Sequence, residues 1–485
     1  MTGRLAWRPV GLVVLADAAL LAATVNGYGY HRDELYFRML ASHPAWGYTD
    51  EPPLTPMLAK AGIALFGDNL WGIRVPALLL ALAAVLVTAL LAAELGGGAT
   101  AQALAAVGAS STFLLISGHV LLTSTADLVV WLLVILFAAR ALLRKQPRWW
   151  LAAGLTTGIG LYNKQLVVLL LIGLAVGLLI AGPRRELLSP WLWAGAGIAL
   201  VVGLPNLLYQ IANHWPEATM ARAIARDKGQ DDRVFFLPFQ LILLGPPLAP
   251  IWIAGLVRLL RDPAWRAVRA LAWAYPVVSV IVLVTGGQGY YTFGLICLLY
   301  AAGCVVVARR FAGARRAWTI AALAVNVAVS AVIALPVIPL RSLPPSVAAT
   351  NQTARDSIGW PTYVRQVADA YHALPPGDRA VAVLFAGNYG EAGALDRYGR
   401  DYGLPSVYSG QNELHRFGPP PDSATVVVEV DEGEVLAPYF DSCVKVGALD
   451  NGLGVDNEEQ GAPITVCHGR HGSWRDFWPD LQHYD

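Results

Sequence analysis

Eleven apolar runs follow one another between the amino terminus and about residue 340, most of them near the length needed to cross a bilayer. A spanning helix needs about 20 mostly apolar residues, because no water in the hydrocarbon satisfies an exposed backbone group. The runs lie near 9–26, 74–95, 100–118, 121–140, 149–163, 165–182, 190–211, 236–257, 270–286, 291–308 and 317–338. Such a chain is expected to fold as an α-helical integral membrane protein. Composition agrees: over 485 residues, 56% are apolar and only 14% are charged, less charge than a soluble protein of this size carries. A net charge of +1 with no dominant basic face argues against nucleic acid as a partner.

Arginine and lysine in short loops favour the cytoplasmic side, and here they count the spans. Clusters follow the fourth span (Arg144, Lys145, Arg148), the sixth (Arg184, Arg185), the eighth (Arg258, Arg261, Arg266, Arg269) and the tenth (Arg309, Arg310, Arg315, Arg316). With Arg4 and Arg8 ahead of the first span, all fall on one side only if 149–182 is two helices broken at Tyr162, Asn163 and Lys164. The amino terminus is then inside, with the long loop 27–73 and the tail outside. A cleaved signal peptide is the rival for the first run, which however contains Asp17 and ends without a small-x-small cleavage pattern.

Beyond about residue 340 the spanning runs stop. Residues 341–485 are richer in Asp, Glu, Gly and Pro, and read as a small soluble α/β domain outside the membrane. AVAVLFA (380–386) and ATVVVEV (424–430) have the look of buried strands, and Tyr363 to Ala373 that of a short helix. Cys443 and Cys467 lie in this tail, and a disulfide and two free thiols stand as equal alternatives. Cys297 and Cys304, seven apart in an apolar run, read as small core residues. No internal repeat is evident, so the paired halves of many transporters are not supported.

Two adjacent carboxylates, Asp33 and Glu34 in HRDELYF, stand where the first span meets its long loop. They suit a general base; they would equally suit the first turn of a loop helix, where acids are favoured. GYTDEPPL follows, with Asp50 and Glu51 aimed by Pro52 and Pro53. Two such acids would also suit a divalent cation, though no further ligand spacing accompanies them. Asp127 sits at the start of the fourth span, just after His119 and Ser124. Ionisable groups in a span are costly and by default functional. Lys164 lies at the break, suited to a phosphate or merely snorkelling to the interface. Arg222 and Arg226, four apart, share a helix face in an outer loop; they offer a phosphate clamp, or a solvated face balanced by Glu217, Asp231 and Asp232.

The loop HPAWGYTDEPPLTPMLAKAGIALFGDNLWGIRVPALL resembles the first outer loop of the family 39 glycosyltransferases, the protein-mannosyltransferase and aminoarabinose-transferase group with the GT-C membrane fold. GGQGYY resembles the group's late outer loop, and FAGNYGEAGALDRYG with LPSVYSGQNELHRF resembles the outer domain of a bacterial branch. The resemblance implies a membrane enzyme that moves a sugar from a polyprenyl-phosphate donor to an envelope acceptor on the outer face, with inversion and without a nucleotide. It implies Asp33 as base, with Glu34 beside it and Asp127 as a second acid. Tyr290 and Tyr291 carry over as donor contacts, and Asn388, Tyr389 and Glu391 as contacts to the acceptor or the membrane domain. Two departures matter: Glu51 and Gln288 stand where the group's patterns place lysine. A transporter or flippase of lipid-linked sugars is the second reading, and a catalytically silent envelope scaffold the third.

Overall fold

The computed structural model describes residues 3–431 and 433–484. Its helices fall where hydropathy places them: α1 (Trp7–Thr24), then α2 (Arg32–Ser42) and α3 (Leu54–Phe66) in the first loop, then α4 (Leu70–Glu94), α5 (Ala99–Ala109), α6 (Thr112–His119), α7 (Thr123–Leu143), α8 (Trp149–Gly160) and α9 (Val167–Ala181). There follow α10 (Pro190–Ala212), α11 (Pro216–Asp227), α12 (Gly229–Ile242), α13 (Ala249–Arg261), α14 (Arg269–Thr285), α15 (Phe293–Ala308) and α16 (Gly313–Ala334). Among the described residues seven helices are long and apolar enough to cross a membrane, or up to nine if each of two bent pairs is one span. The remaining two of the eleven expected spans are α8 and α9, of 12 and 15 residues. They are separate helices, as the arginine distribution requires.

Two expected spans are not straight. The run at 100–118 bends by 64° between α5 and α6, and the run at 236–257 by 69° between α12 and α13. The second bend has a plain cause in Gly245-Pro246-Pro247: Gly245 has φ of +98°, and two prolines remove successive amide donors. Elsewhere the bundle is tight. α13 and α15 approach so closely that a Cβ on Gly255 would lie 1.9 Å from the Leu299 carbonyl oxygen, a small-residue contact of the kind that lets membrane helices meet.

The chain divides into two compact units. One holds residues 1–25, 51–55 and 74–335; the other holds 26–50, 56–73 and 336–485. The first loop therefore belongs largely with the tail. That second unit is built on a five-stranded mixed sheet of β1 (Ala382–Ala386), β2 (Val407–Ser409), β3 (Val426–Val430), β4 (Phe440–Ala448) and β5 (Pro463–Arg470), ordered β2-β1-β3-β5-β4. β1 pairs in parallel with β2 and β3, while β5 runs antiparallel to β3 and β4. The two strands read from sequence are β1 and β3, buried along their whole length, and continuous apolar runs are what such strands need. One face of the sheet carries Phe385, Val427, Phe440, Trp474 and Trp478. α17 (Trp360–Ala373), which begins three residues before the expected Tyr363, buries Trp360, Tyr363, Val364 and Val367, and α18 (Tyr389–Tyr398) follows β1. Cys443 and Cys467 are disulfide-bonded, directly opposite each other on β4 and β5.

Candidate active site

In the second unit the loop helix α2 packs on α18, and the sequence NYGEAG explains how. Asn388 is the N-cap of α18; its side chain accepts from the Glu391 amide at 2.9 Å, and Glu391 reaches back to the Asn388 amide. The glycines sit at the contact: a Cβ on Gly393 would lie 2.7 Å from the Leu35 Cβ, and one on Gly390 2.9 Å from the Arg32 Cβ. Arg38 of α2 then bonds Asp68 at 2.8 Å and pairs with Asp396. Asn388 and Glu391 thus form the strand-to-helix joint of this unit.

A second capping box starts α2. His31 is the N-cap, accepting from the Asp33 amide at 3.1 Å, and the fully buried Glu34 accepts from the His31 amide at 2.9 Å. Of the two adjacent acids, Glu34 closes the helix end. Asp33 is released from that duty; its carboxylate, 30% exposed, accepts from the Tyr389 hydroxyl at 3.1 Å. The Tyr389 ring lies 4.8 Å below the Arg32 guanidinium and 4.9 Å from the Tyr36 ring.

Asp50 closes the same loop. The Tyr36 hydroxyl donates to it at 2.7 Å, and burial pushes its carboxyl up to about 7. Beside it Thr49 donates to Glu413 through both its amide and its hydroxyl, each at 2.7 Å. Tyr36, Thr49 and Glu413 were not legible as site residues; Glu413 lies in the SGQNE motif, its only sequence signal. More acids lie nearby. Glu459 is buried and pushed up to about 7 by that burial, with Arg32 pulling the other way, and burial also raises Glu391 and Asp356. Among the described residues no group of three or more His, Cys, Asp or Glu side chains is arranged to hold a metal ion. Asp50 is bound to Tyr36, and Glu51 lies within electrostatic reach of a lysine.

That lysine is Lys164, in the helical unit. The break between α8 and α9 is an ordered structure: Asn163 accepts from Thr55 at 2.7 Å and donates to the Thr123 carbonyl at 2.8 Å, while Leu54 donates to the Tyr162 carbonyl at 2.7 Å. The turn so fixed carries Lys164 into a cluster. Its Nζ lies 3.4 Å from the Tyr290 hydroxyl and 5.9 Å from that ring's centre, and Glu51, Asp127 and Tyr291 are all within electrostatic reach. Asp127 is buried on the first turns of α7. Tyr290 and Tyr291 meet edge to face at 5.0 Å. Five expected residues from four distant segments therefore converge. At positions 51 and 288, where the resembling family's patterns have lysine, this chain has none, and Lys164 stands next to both Glu51 and the tyrosine pair. Arg222 and Arg226 are not part of this cluster; both are exposed on α11.

Residues 50–209 match the family described as dolichyl-phosphate-mannose-protein mannosyltransferase. Among curated proteins, none matches the sequence significantly. Solved structures match most of this chain. ArnT from Cupriavidus metallidurans bound to undecaprenyl phosphate superposes with a TM-score of 0.61 at 17% identity, over 95% of this chain and 98% of that one. The archaeal oligosaccharyltransferase AglB from Archaeoglobus fulgidus, in complex with an inhibitory peptide and a dolichol-phosphate, gives 0.51 at 13% identity over 88% and 70%. The arabinofuranosyltransferase AftD from Mycobacteria gives 0.52 at 15% identity, over 97% of this chain and 40% of that one.

Proposed function

From a GT-C membrane fold of the protein-mannosyltransferase and ArnT type, we propose that this protein is an integral membrane glycosyltransferase that moves a sugar from a polyprenyl-phosphate donor to an envelope acceptor. The observation that carries the reading is Asp33. Its neighbour Glu34 does the capping, so a partly exposed carboxylate is left at the start of a rigid loop helix with a phenol to orient it. In the proposed reaction Asp33 takes the proton of the acceptor's nucleophilic group as that group attacks the anomeric carbon. The bond from that carbon to the phosphate oxygen breaks with inversion, and the polyprenyl phosphate leaves with the electron pair.

A leaving phosphate needs cationic or hydrogen-bonding stabilisation where charge develops. Lys164 with Tyr290 and Tyr291 supplies those groups, and Asp127 and Glu51 keep the lysine charged. Arg222 and Arg226, one turn apart on an exposed face, would add a charge-assisted grip on lipid phosphate. That the neighbours include complexes with undecaprenyl phosphate and with a dolichol-phosphate supports such a donor. We assign residues 341–485 and the first loop to the outer face of a bacterial cytoplasmic membrane. The break before Lys164 supports this through the arginine distribution, and so does the Cys443–Cys467 bond, since disulfides persist in oxidising compartments.

Asp33→Asn keeps the shape and removes the base. The purified variant is expected to bind a polyprenyl-phosphate sugar and to transfer it about a hundredfold to ten-thousandfold more slowly. Transfer at the wild-type rate across a panel of such donors would remove the assignment.

A further inference from the structure

The second unit spends an unusual amount of structure on two loop carboxylates. A phenol in a packed interior most simply bonds a backbone carbonyl, as Tyr300 does to Leu104 at 3.0 Å. Tyr389 instead gives its hydroxyl to the partly exposed Asp33, and three contacts fix the residue. Arg32 lies over one face; Tyr36 lies alongside; and its own amide donates to the Gln411 side chain at 2.5 Å. Burial holds the Tyr389 phenol well above its ordinary value, so it stays a donor across the working range of pH. On the other side of the loop, Tyr36 donates to Asp50 and accepts from the Glu413 amide at 3.3 Å, while the Glu413 carboxylate holds Thr49. Both tail motifs, NYGEAG and SGQNE, therefore end on the acid loop.

We propose that Tyr389 is the positioning residue for Asp33, and that Tyr36 with Glu413 positions Asp50, so that the two tail motifs hold the acid loop in its working geometry. The inference rests on the reading of Asp33 as base. A hydrogen bond to a charged group contributes about 1.5–3 kcal/mol, or roughly tenfold to a hundredfold in rate where it holds a catalytic group in place. The Tyr36 bond also stabilises the ionised Asp50, against burial and the charges of Glu413 and Asp33. Tyr484 also faces Asp50 and Glu413, Tyr389 faces Asp50, Tyr48 faces Glu413, and Arg416 pairs with Glu413 at 3.8 Å.

The test uses the full-length protein and removes one hydroxyl at a time. Tyr389→Phe is expected to lower the transfer rate about tenfold to a hundredfold while binding of undecaprenyl phosphate and the thermal midpoint stay at wild-type values. Tyr36→Phe is expected to let carbodiimide label Asp50, read by mass spectrometry, up to a higher pH than in the wild type, because the bond that favours the carboxylate is gone. Full transfer by a folded Tyr389→Phe, with Asp33→Asn inactive, overturns the inference and spares the base; wild-type transfer by Asp33→Asn overturns the base itself. Should Tyr389→Phe fail to fold, Gln411→Ala leaves the phenol but frees the backbone that aims it. An undiminished rate in that variant overturns the inference equally.

Discussion

The helical unit and the sheet unit each hold a polar cluster, and they compensate charge in different ways. Around Lys164 a cation faces carboxylates and phenols, in a bundle whose core is largely apolar. A charge at that depth is costly unless paired, so Asp127 and Glu51 are the condition for Lys164 being there. In the sheet unit carboxylates dominate: Asp33, Asp50, Glu391, Glu413, Glu459 and Asp356, with Arg32 in their midst. Hydroxyls and amides hold several of those acids, and burial raises Asp50, Glu391, Glu459 and Asp356. Under the proposed function the helical cluster would meet the phosphate, since a paired cation can exchange its acids for one, and Asp33 would take the acceptor's proton.

The largest effect expected to separate the two clusters is at Lys164. Lys164→Met fills the same volume without charge and leaves Asp127 and Glu51 without their cation. Binding of undecaprenyl phosphate and transfer are expected to fall together, about a hundredfold to a thousandfold. Lys164→Arg should recover part of the loss. If Lys164→Met bound the lipid phosphate normally and lost only turnover, the phosphate grip would lie elsewhere, with exposed Arg222 and Arg226 the next to be replaced.

A smaller effect is confined to the sheet unit. Replacing Cys443 and Cys467 by Ser opens a link spanning 24 residues, which a chain-entropy argument values at about 3 kcal/mol. Amide hydrogen exchange in the full-length protein is expected to quicken in β3, β4 and β5 and to stay unchanged in α7 and α15. Equal quickening in those helices would mean that the two units unfold as one.

How much of this was legible depended on whether one segment carried the signal alone. Spans, the break at Lys164 and the strands β1 and β3 each declare themselves locally, by apolar length, arginine placement or continuous burial. β4 does not: FDSCVKVGA is an edge strand with Val444 and Val446 more than half exposed and an irregularity between Lys445 and Gly447, so neither alternation nor an apolar run marks it. Asp33 and Glu34 are the same chemistry one residue apart, and only the backbone of His31 decides which closes the helix. Tyr36, Gln411 and Glu413 acquire meaning only when α2 meets α18, across more than 350 residues of sequence.

The smallest expected effect tests whether the sheet unit is compensated by protons. Glu459 is 1% exposed, and among the described residues its carboxylate has no hydrogen-bond partner beyond its own amide. Burial raises it to about 7 from an ordinary 4.5, so the folded state keeps the proton over a range in which the unfolded chain has lost it. Stability from this group is therefore full below about pH 4.5, declines as pH rises through 7, and is lost above it. Glu459→Gln never ionises and keeps the shape. Arg32 retains Glu458 as its ion-pair partner, so the amide leaves no cation stranded. The variant is expected to match the wild type near pH 4.5 and to exceed it by about 1–2 kcal/mol at pH 8, read from exchange rates of the β1 and β3 amides. A loss that is the same at both pH values would show that Glu459 is ionised throughout, and would assign Arg32, rather than a retained proton, as its compensation.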